Sequence, residues 1–305
     1  MDLEAHRGEL VAYCYRMLGS FHDAEDLVQE TMLRAWKARD GYDPARASVR
    51  TWLYRIATNA CLTALDSRAR RVLPSGLGAP STDPAVPLTP ALDIPWLQPF
   101  PDARLDPDAR TDLRLALVAA LQLLPARQRA VLVLREVLQF SAAEVAEQLE
   151  TTVASVNSAL QRARATMEQH GDLGEVPEPR DAEARAVVDR YARAFEAADV
   201  AGLVRLLADA AIMEMPPVPL WYRGREHYGL FMARVFAMRG ADWGTRFVTA
   251  NGGQPALATY AADGAGGLRA HSLQVFTLAD GLITGNVVFA DPTLFEAFGV
   301  PERLS

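Results

Sequence analysis

LPARQRAVLVLREVLQFSAAEVAEQLETTVASVNSALQRARATM, running from Leu124 to Met167, reads as two helices joined by a tight turn behind a helical lead-in. Ser141 followed three residues later by Glu144 is a capping-box pattern, in which the two side chains satisfy each other's free backbone N–H groups and start a short helix. Val145, Ala146 and Leu149 share one side of it, and Thr152 is placed to cap the next helix. In that second helix Val156, Leu160, Ala163 and Met167 recur at helical spacing, so Asn157, Ser158, Gln161 and Arg162 fall on the opposite face. Amides, a hydroxyl and a guanidinium are donors and acceptors suited to base edges in a major groove. The same spacing also describes an ordinary helical hairpin with a solvated polar face, and periodicity alone leaves both readings open.

The wording of the stretch resembles region 4 of the sigma-70 family of bacterial transcription initiation factors, in the small extracytoplasmic-function group. There LPxxxRxVxxLRE leads into a helix-turn-helix with an SxLxRAR tail. The resemblance implies that Asn157, Ser158, Gln161, Arg162 and Arg164 lie toward promoter DNA, with Arg164, nearer the apolar edge, meeting phosphate or another side chain. Glu150 stands where glycine often makes the turn, and Asn157 and Ala159 stand where the family is often basic, so the DNA-facing helix is less cationic than usual.

The chain has 305 residues, of which 50% are hydrophobic and 23% charged, enough for two or three globular domains. A net charge of −7 disfavours a protein that grips DNA unaided, because duplex affinity comes largely from neutralising phosphates. A factor held to DNA by a polymerase escapes that difficulty. Two cysteines, Cys14 and Cys61, and five scattered histidines argue against structural zinc or a disulfide framework, and no cofactor motif is present. The charged start and the lack of a long apolar run predict a soluble, cytoplasmic protein with no membrane partner.

Leu10, Val11, Cys14 and Leu18 step at helical spacing up to Gly19, a C-cap candidate. The following DAEDLVQETMLRAW (residues 23–36) turns Ala24, Leu27, Val28, Thr31 and Ala35 inward and leaves an acidic outer surface that suits a helix N-terminus. This phrase resembles sigma region 2.2, which docks on a clamp helix of the large polymerase subunit. By that resemblance Asp26, Gln29 and Glu30 are polymerase-binding candidates. KARDGYDPARASVR (37–50) is a cationic loop, and TWLYRIATNACLTALDSRARR (51–71) a helix with Trp52, Ile56, Ala60 and Leu65 expected inside. Together they look like regions 2.3 and 2.4, where a flipped base of the minus-10 element is held and the non-template strand is followed. Asn59, Arg50, Arg55 and the loop can supply the hydrogen bonds and cations this needs, with Tyr42 as the exposed aromatic and Trp52 assigned to the core.

Nine of the 19 prolines lie between Val72 and Pro107, which predicts an extended linker. Trp96, Leu97 and Phe100 within DIPWLQPFPDARL are unusual for a solvated spacer and are expected to bind something, either polymerase or the protein's own C-terminal domain. A second linker, HGDLGEVPEPR, follows the helix-turn-helix. Beyond it Ala184 to Phe195, Leu203 to Leu207 and Phe231 to Phe236 read as helices. Phe247 to Ala250, Ala256 to Ala261, Ala270 to Leu278 and Leu282 to Phe289 read as strands, the last two joined through Ala279-Asp280-Gly281 as a hairpin. AIMEMPPVPLWYRGRE, NGGQPA and the closing hairpin resemble the SnoaL-like branch of the nuclear-transport-factor-2 fold, a cone enclosing a pocket. The DGGGK motif of related sigma factors is missing. Pocket candidates are Glu214, Trp221, Tyr222 and His271, with His227 and Asp291 considered beside them. No set of nucleophile, base and orienter is recognisable, so an enzyme is not expected.

The sequence therefore predicts a multidomain protein: an all-α sigma region 2 domain (1–71), a proline-rich linker (72–110), an all-α region 4 helix-turn-helix domain (111–170) and an α+β SnoaL-like domain (181–300). The resemblance implies core RNA polymerase and promoter DNA, at the minus-35 and minus-10 elements, as partners, and a small-molecule ligand or regulator for the C-terminal domain. A stand-alone transcription regulator and a bifunctional protein with enzyme activity in that pocket are the alternatives.

Overall fold

The computed structural model describes residues 2–66, 69–105, 113–169 and 181–304. They form two compact units. The first combines Met1–Arg71 with Arg104–Gly174, and the second combines Val72–Ala103 with Glu175–Ser305. The proline-rich stretch up to Ala103 thus belongs with the C-terminal domain. The expected second linker at 170–180 lies outside the described residues.

In the first unit, α1 (Arg7–Leu18) ends at Gly19, whose φ of 68° is left-handed and cheap only for glycine. Ser20 then accepts the N–H of Asp23 and starts α2 (Phe21–Ala38). All five positions expected to face inward on α2 are buried. α3 (Val49–Asp66) departs from expectation. Its inner face is Leu53, Tyr54, Ala57, Ala60 and Cys61, whereas Trp52, Ile56 and Leu65 are half-buried. Apolar residues surround this helix, so spacing alone did not fix which side packs. α4 (Leu115–Leu121) and α5 (Ala126–Leu132) follow, α5 running on through a π turn at Val133–Val137.

α6 (Ala142–Gln148) begins with the capping box of Ser141 and Glu144 fully formed. α7 (Val153–Gln169) begins where Thr152 Oγ1 accepts the N–H of Ser155 at 3.1 Å. The turn between them passes through Glu150 at a φ of 51°, so this glutamate adopts the left-handed backbone that glycine usually supplies. Val156, Leu160 and Ala163 are buried, as the periodicity requires, while Met167 is only half-buried.

The two helical segments pack on each other. Arg129, buried on α5, donates to Gln122 Oε1 at 2.6 Å, to the Gln122 and Leu124 carbonyls, and to the carbonyl of Met17 on α1. Gln122 Nε2 also donates to Arg16 O at 3.1 Å. These bonds satisfy two carbonyls at the end of α1, that of Arg16 through the Gln122 amide and that of Met17 through the Arg129 guanidinium. Burial brings the Arg129 pKa down to about 10, still far above neutrality.

The second unit contains α8 (Asp181–Glu196) and α9 (Val200–Val204), then β1 (Leu207–Glu214), β2 (Trp221–Arg223), α10 (Arg225–Arg239), β3 (Trp243–Ala250), β4 (Gln254–Ala262), β5 (Leu268–Ala279) and β6 (Leu282–Phe289), ending with α11 (Thr293–Ala297) and β7 (Arg303–Leu304). Leu206 and Leu207, expected in a helix, instead end the short α9 turn and open β1. The sheet order is β2-β1-β6-β5-β4-β3 with β7 beside β5; β1 and β6 run parallel and the other pairs antiparallel. The expected β5–β6 hairpin forms, with Asp280 and Gly281 both at positive φ (52° and 72°), the backbone of a type I′ turn. Helices cover one face of the sheet, and Tyr191, Phe195, Tyr222, Phe231, Phe236 and Phe276 fill the space between.

Residues 72–103 form a strap bound to this domain. Trp96, Leu97 and Phe100 are buried, Phe100 fully. Phe100 and Asn251 exchange two hydrogen bonds, Asn251 N to Phe100 O at 2.8 Å and Phe100 N to Asn251 Oδ1 at 3.0 Å. The Asp102 carboxylate accepts the N–H groups of Gly252 and Gly253 at 2.7 and 2.8 Å. Of the apolar linker residues expected to bind something, Phe100 meets the protein's own C-terminal domain at Asn251, while Trp96 and Leu97 bond within the strap to Ala91 and Val72. No helix among the described residues is long and apolar enough to cross a membrane.

Candidate nucleic-acid interface and C-terminal cavity

On α2, Asp26, Gln29 and Glu30 are exposed on one face, with Glu30 paired to Arg34 at 2.5 Å. Leu33 and Trp36 continue that face at helical spacing, 51% and 58% exposed. Two large apolar side chains thus stand beside carboxylates on the helix surface, with the Arg39 guanidinium 3.9 Å over the Trp36 ring. The sequence reading included Leu33 and Trp36 in the helix but assigned them no role. The sign was there, since both fall outside the inward stripe.

On α7, Asn157, Ser158, Gln161 and Arg162 are exposed together, as expected. Arg164 is engaged elsewhere: its guanidinium meets the Glu136 carboxylate through both Nε, at 3.0 Å, and Nη2. That is the side-chain partner anticipated for a residue near the apolar edge.

The region 2 candidates are more committed than the sequence suggested. Arg50 donates to Glu9 Oε2 at 2.9 Å and lies over the rings of Tyr54 and Phe140, at 4.9 and 4.8 Å. Glu9 also accepts from Tyr54 and bonds His6; burial pushes its carboxyl up, and these bonds together pull it below the usual range. Arg55 reaches Glu150 at 3.3 Å, and Asn59 is exposed. Tyr42 is half-buried, donates to Ala47 O at 2.9 Å, and packs its ring 5.0 Å from Trp52. Trp52 is therefore part of the loop's aromatic pair rather than of the core. These two rings, Arg55 and Ser48 line a cleft of about 350 Å³ whose other wall is Glu144, Glu147 and Gln148 of α6. Acidic side chains of the helix-turn-helix thus share this cleft with Arg46 and Arg55.

In the second unit a cavity of about 240 Å³ lies between the sheet and α8 and α10. Met213, Met215, Phe231 and Met232 supply apolar wall, and Tyr191, Gln274 and Asn286 form a polar end. His271 lines it, as expected. Its ring bonds the Ser272 hydroxyl at 3.2 Å and meets Trp243 edge-on, and burial beside Arg239 lowers its pKa to about 4. The other three pocket candidates are corrected: they hold the strap. Glu214 accepts the N–H of Ser75 at 2.8 Å, and its burial pushes the carboxyl pKa up. Trp221 donates to Gly78 O at 2.9 Å while its own carbonyl accepts Ser81 N–H, and Tyr222 donates to Asp83 O at 3.1 Å. All three precede or occupy β2 at the sheet edge, where backbone groups need a partner and the strap supplies one. His227 is half-buried with its ring 3.2 Å from the Arg223 carbonyl, and Asp291 caps the turn at Thr293. Among the described residues no group of His, Cys, Asp or Glu is placed to hold a metal ion.

Family comparisons match this architecture part by part. Residues 3–71 match Sigma-70 region 2, residues 114–167 match Sigma-70, region 4, and residues 188–286 match the SnoaL-like domain. ECF RNA polymerase sigma factor SigG of Mycobacterium tuberculosis is 47% identical over 311 aligned residues, covering 99% of this chain and 83% of that protein. ECF RNA polymerase sigma factor SigW of Bacillus subtilis is 32% identical across 54% of this chain and 84% of its own length. The crystal structure of Mycobacterium tuberculosis extracytoplasmic function sigma factor SigJ superposes with a TM-score of 0.66 at 25% identity, covering 98% of both chains. Two sigma regions on one helical unit, a SnoaL-like domain behind them and near-complete alignment with SigG place the chain in one family: it belongs to the extracytoplasmic-function RNA polymerase sigma factors.

Proposed function

We propose that the chain directs core RNA polymerase to promoters with the helical unit, and that the SnoaL-like domain sets how readily it does so. The exposed face of α2 is the observation that carries the first part. Asp26, Gln29 and Glu30, extended by Leu33 and Trp36, offer carboxylates around an apolar centre, a surface suited to a basic helix with apolar residues. Asn157, Ser158, Gln161 and Arg162 read the minus-35 element, and Tyr42, Trp52, Arg55 and Asn59 meet the minus-10 strand. Arg50 acts there only after leaving Glu9. The functional modules are residues 1–71, 111–170 and 181–300, with 72–103 as the control strap.

Promoter binding requires the helical unit to open. Elements centred near minus-35 and minus-10 lie roughly 25 base pairs apart, on the order of 85 Å of duplex at 3.4 Å per pair. Two domains joined by the Arg129 bonds cannot reach both. Opening frees Arg55 and the Tyr42–Trp52 cleft from Glu150, Glu144 and Glu147, so acidic α6 acts as a stand-in for phosphate in the closed state. The strap joins the two helical segments in the chain, so whatever holds the strap limits how far they separate.

The test is a binding titration of purified core polymerase with the native chain and with Asp26→Lys/Glu30→Lys. The double variant is expected to bind at least tenfold more weakly while keeping its helical circular dichroism. Unchanged affinity would remove the α2 face from the interface.

A further inference from the structure

Gln148 lies on α6 one turn after Glu144 and shares a face with it. Both line the cleft whose other wall is Tyr42, Trp52 and Arg55, so Gln148 belongs to the seam between the two sigma regions. Its side chain is only 2% exposed, and among the described residues neither Nε2 nor Oε1 of the amide has a hydrogen-bond partner. Water does not reach either atom, so a bridging water does not supply the missing bonds. A primary amide offers two donors and an acceptor that water satisfies fully, and burying them unmatched is unfavourable. An apolar side chain of the same length would sit in this place at no such cost.

Other groups along the seam favour the packed arrangement. Arg55 pairs with Glu150, Arg50 lies over Phe140 while it donates to Glu9, and Arg129 bonds the Met17 carbonyl. Gln148 opposes them. When α6 and α3 separate, the cleft side of α6 meets water and the amide recovers its hydrogen bonds, so the penalty belongs to the closed state alone.

We propose that Gln148 is a release element: its unpaired amide destabilises the packing of region 4 on region 2 and keeps that packing weak enough for core polymerase to open. This rests on the reading that promoter binding opens the helical unit, and it names a residue that sets how easily the opening occurs. A penalty of this kind shifts a two-state equilibrium about tenfold, and a partner that binds only the open form gains the same factor in apparent affinity. Without the orphan amide the closed form would hold polymerase off more strongly, although no residue that touches polymerase or DNA had changed.

The experiment uses the full chain with fluorophores on Glu4→Cys and Ala154→Cys, exposed positions in region 2 and on α7; the native Cys14 and Cys61 are buried and stay unlabelled. Energy transfer between the dyes follows the separation of the two regions as purified core polymerase is added. Gln148→Met, apolar and of similar length, is expected to require about tenfold more polymerase for half-opening and to raise the denaturant midpoint of the helical unit. Gln148→Glu keeps the shape but adds a carboxylate beside Glu144 and Glu147, and is expected to lower the polymerase needed. Opposite shifts from two side chains of similar shape are not what general damage to the fold produces. Half-opening at the native concentration in Gln148→Met, a lower midpoint in that variant, or shifts of the same sign in both variants would overturn the proposal alone. A native chain that binds polymerase without any change in transfer would overturn it together with the opening on which it rests.

Discussion

Two arginines two positions apart on α7 have different surroundings. Arg162 is exposed beside Gln161, while Arg164 is held by Glu136. Replacing Arg162 with alanine should change preference at particular bases by about 1–3 kcal/mol in a promoter-library assay, because a base contact is lost only where that base is present. Arg164→Ala should instead lower binding to all sequences alike, by a small amount suited to an exposed ion pair. A uniform effect from Arg162→Ala would make it a phosphate contact. At His271 the prediction concerns pH. Its ring is held neutral in the fold, with a pKa of about 4 against 6.5 for a free histidine, by burial and the Arg239 charge. As pH falls the unfolded chain takes up the proton first, so this contribution is intact above about 6.5 and is lost progressively down to about 4. The full window is worth about 3 kcal/mol. Thermal unfolding of the C-terminal domain between pH 7.5 and 4.5 should therefore fall more steeply in the native chain than in His271→Gln; parallel curves would contradict it.

The strap is the element whose role depends most on packing. Phe100 is fully buried and its backbone is doubly bonded to Asn251, so Phe100→Ala removes an aromatic core residue and leaves a cavity. Such changes cost about 3–5 kcal/mol, which should appear as faster hydrogen exchange across 72–103 and a lower denaturant midpoint for that unit. Protection unchanged in the variant would mean the strap is held by its hydrogen bonds alone. Simple truncation at Asp181 is a poor probe of the same element, because it strips Trp96, Leu97 and Phe100 of their domain and exposes them. Elements set by local chemistry were legible in the sequence: the Ser141–Glu144 capping box, the Gly19 stop, the Asp280-Gly281 hairpin and the inner stripe of α2. Where apolar residues surround a helix, as on α3, periodicity does not choose a face, and Trp52 was placed inside when it pairs with Tyr42 instead. Prolines announced that residues 72–103 are extended but not what they lie against. Glu214, Trp221 and Tyr222 were named as pocket candidates, because nothing local shows that a strap over a hundred residues earlier takes their hydrogen bonds. Tyr191, Tyr228 and Asn286 come together by hydrogen bonds from two helices and a strand, so their cluster had no sequence signal beyond a polar residue alternating with Val288 on one sheet face.

At the scale of the whole molecule, regions 2 and 4 form one packed unit, and a single chain segment both joins them and binds the C-terminal domain. Such a factor is expected to exist closed and to be converted by polymerase and promoter into an open form, with the domain biasing that equilibrium through the strap. Coupling of about 1–3 kcal/mol is the usual range for such linked states and corresponds to roughly 5- to 150-fold in occupancy. The sequence supplied the three parts and their order through their resemblance to known families. The closed packing, built on Arg129, Gln122 and Arg50, appears only when residues far apart in the sequence are brought together. The most direct measurement is run-off transcription with purified core polymerase on a library of promoter fragments, comparing the native chain with Asp26→Lys/Glu30→Lys. The account predicts promoter-specific transcripts with the native chain, none with core alone, and at least a tenfold loss with the double variant at matched concentration. Specific transcripts at equal yield from both proteins, or no specific transcript from the native chain on any promoter, would contradict it.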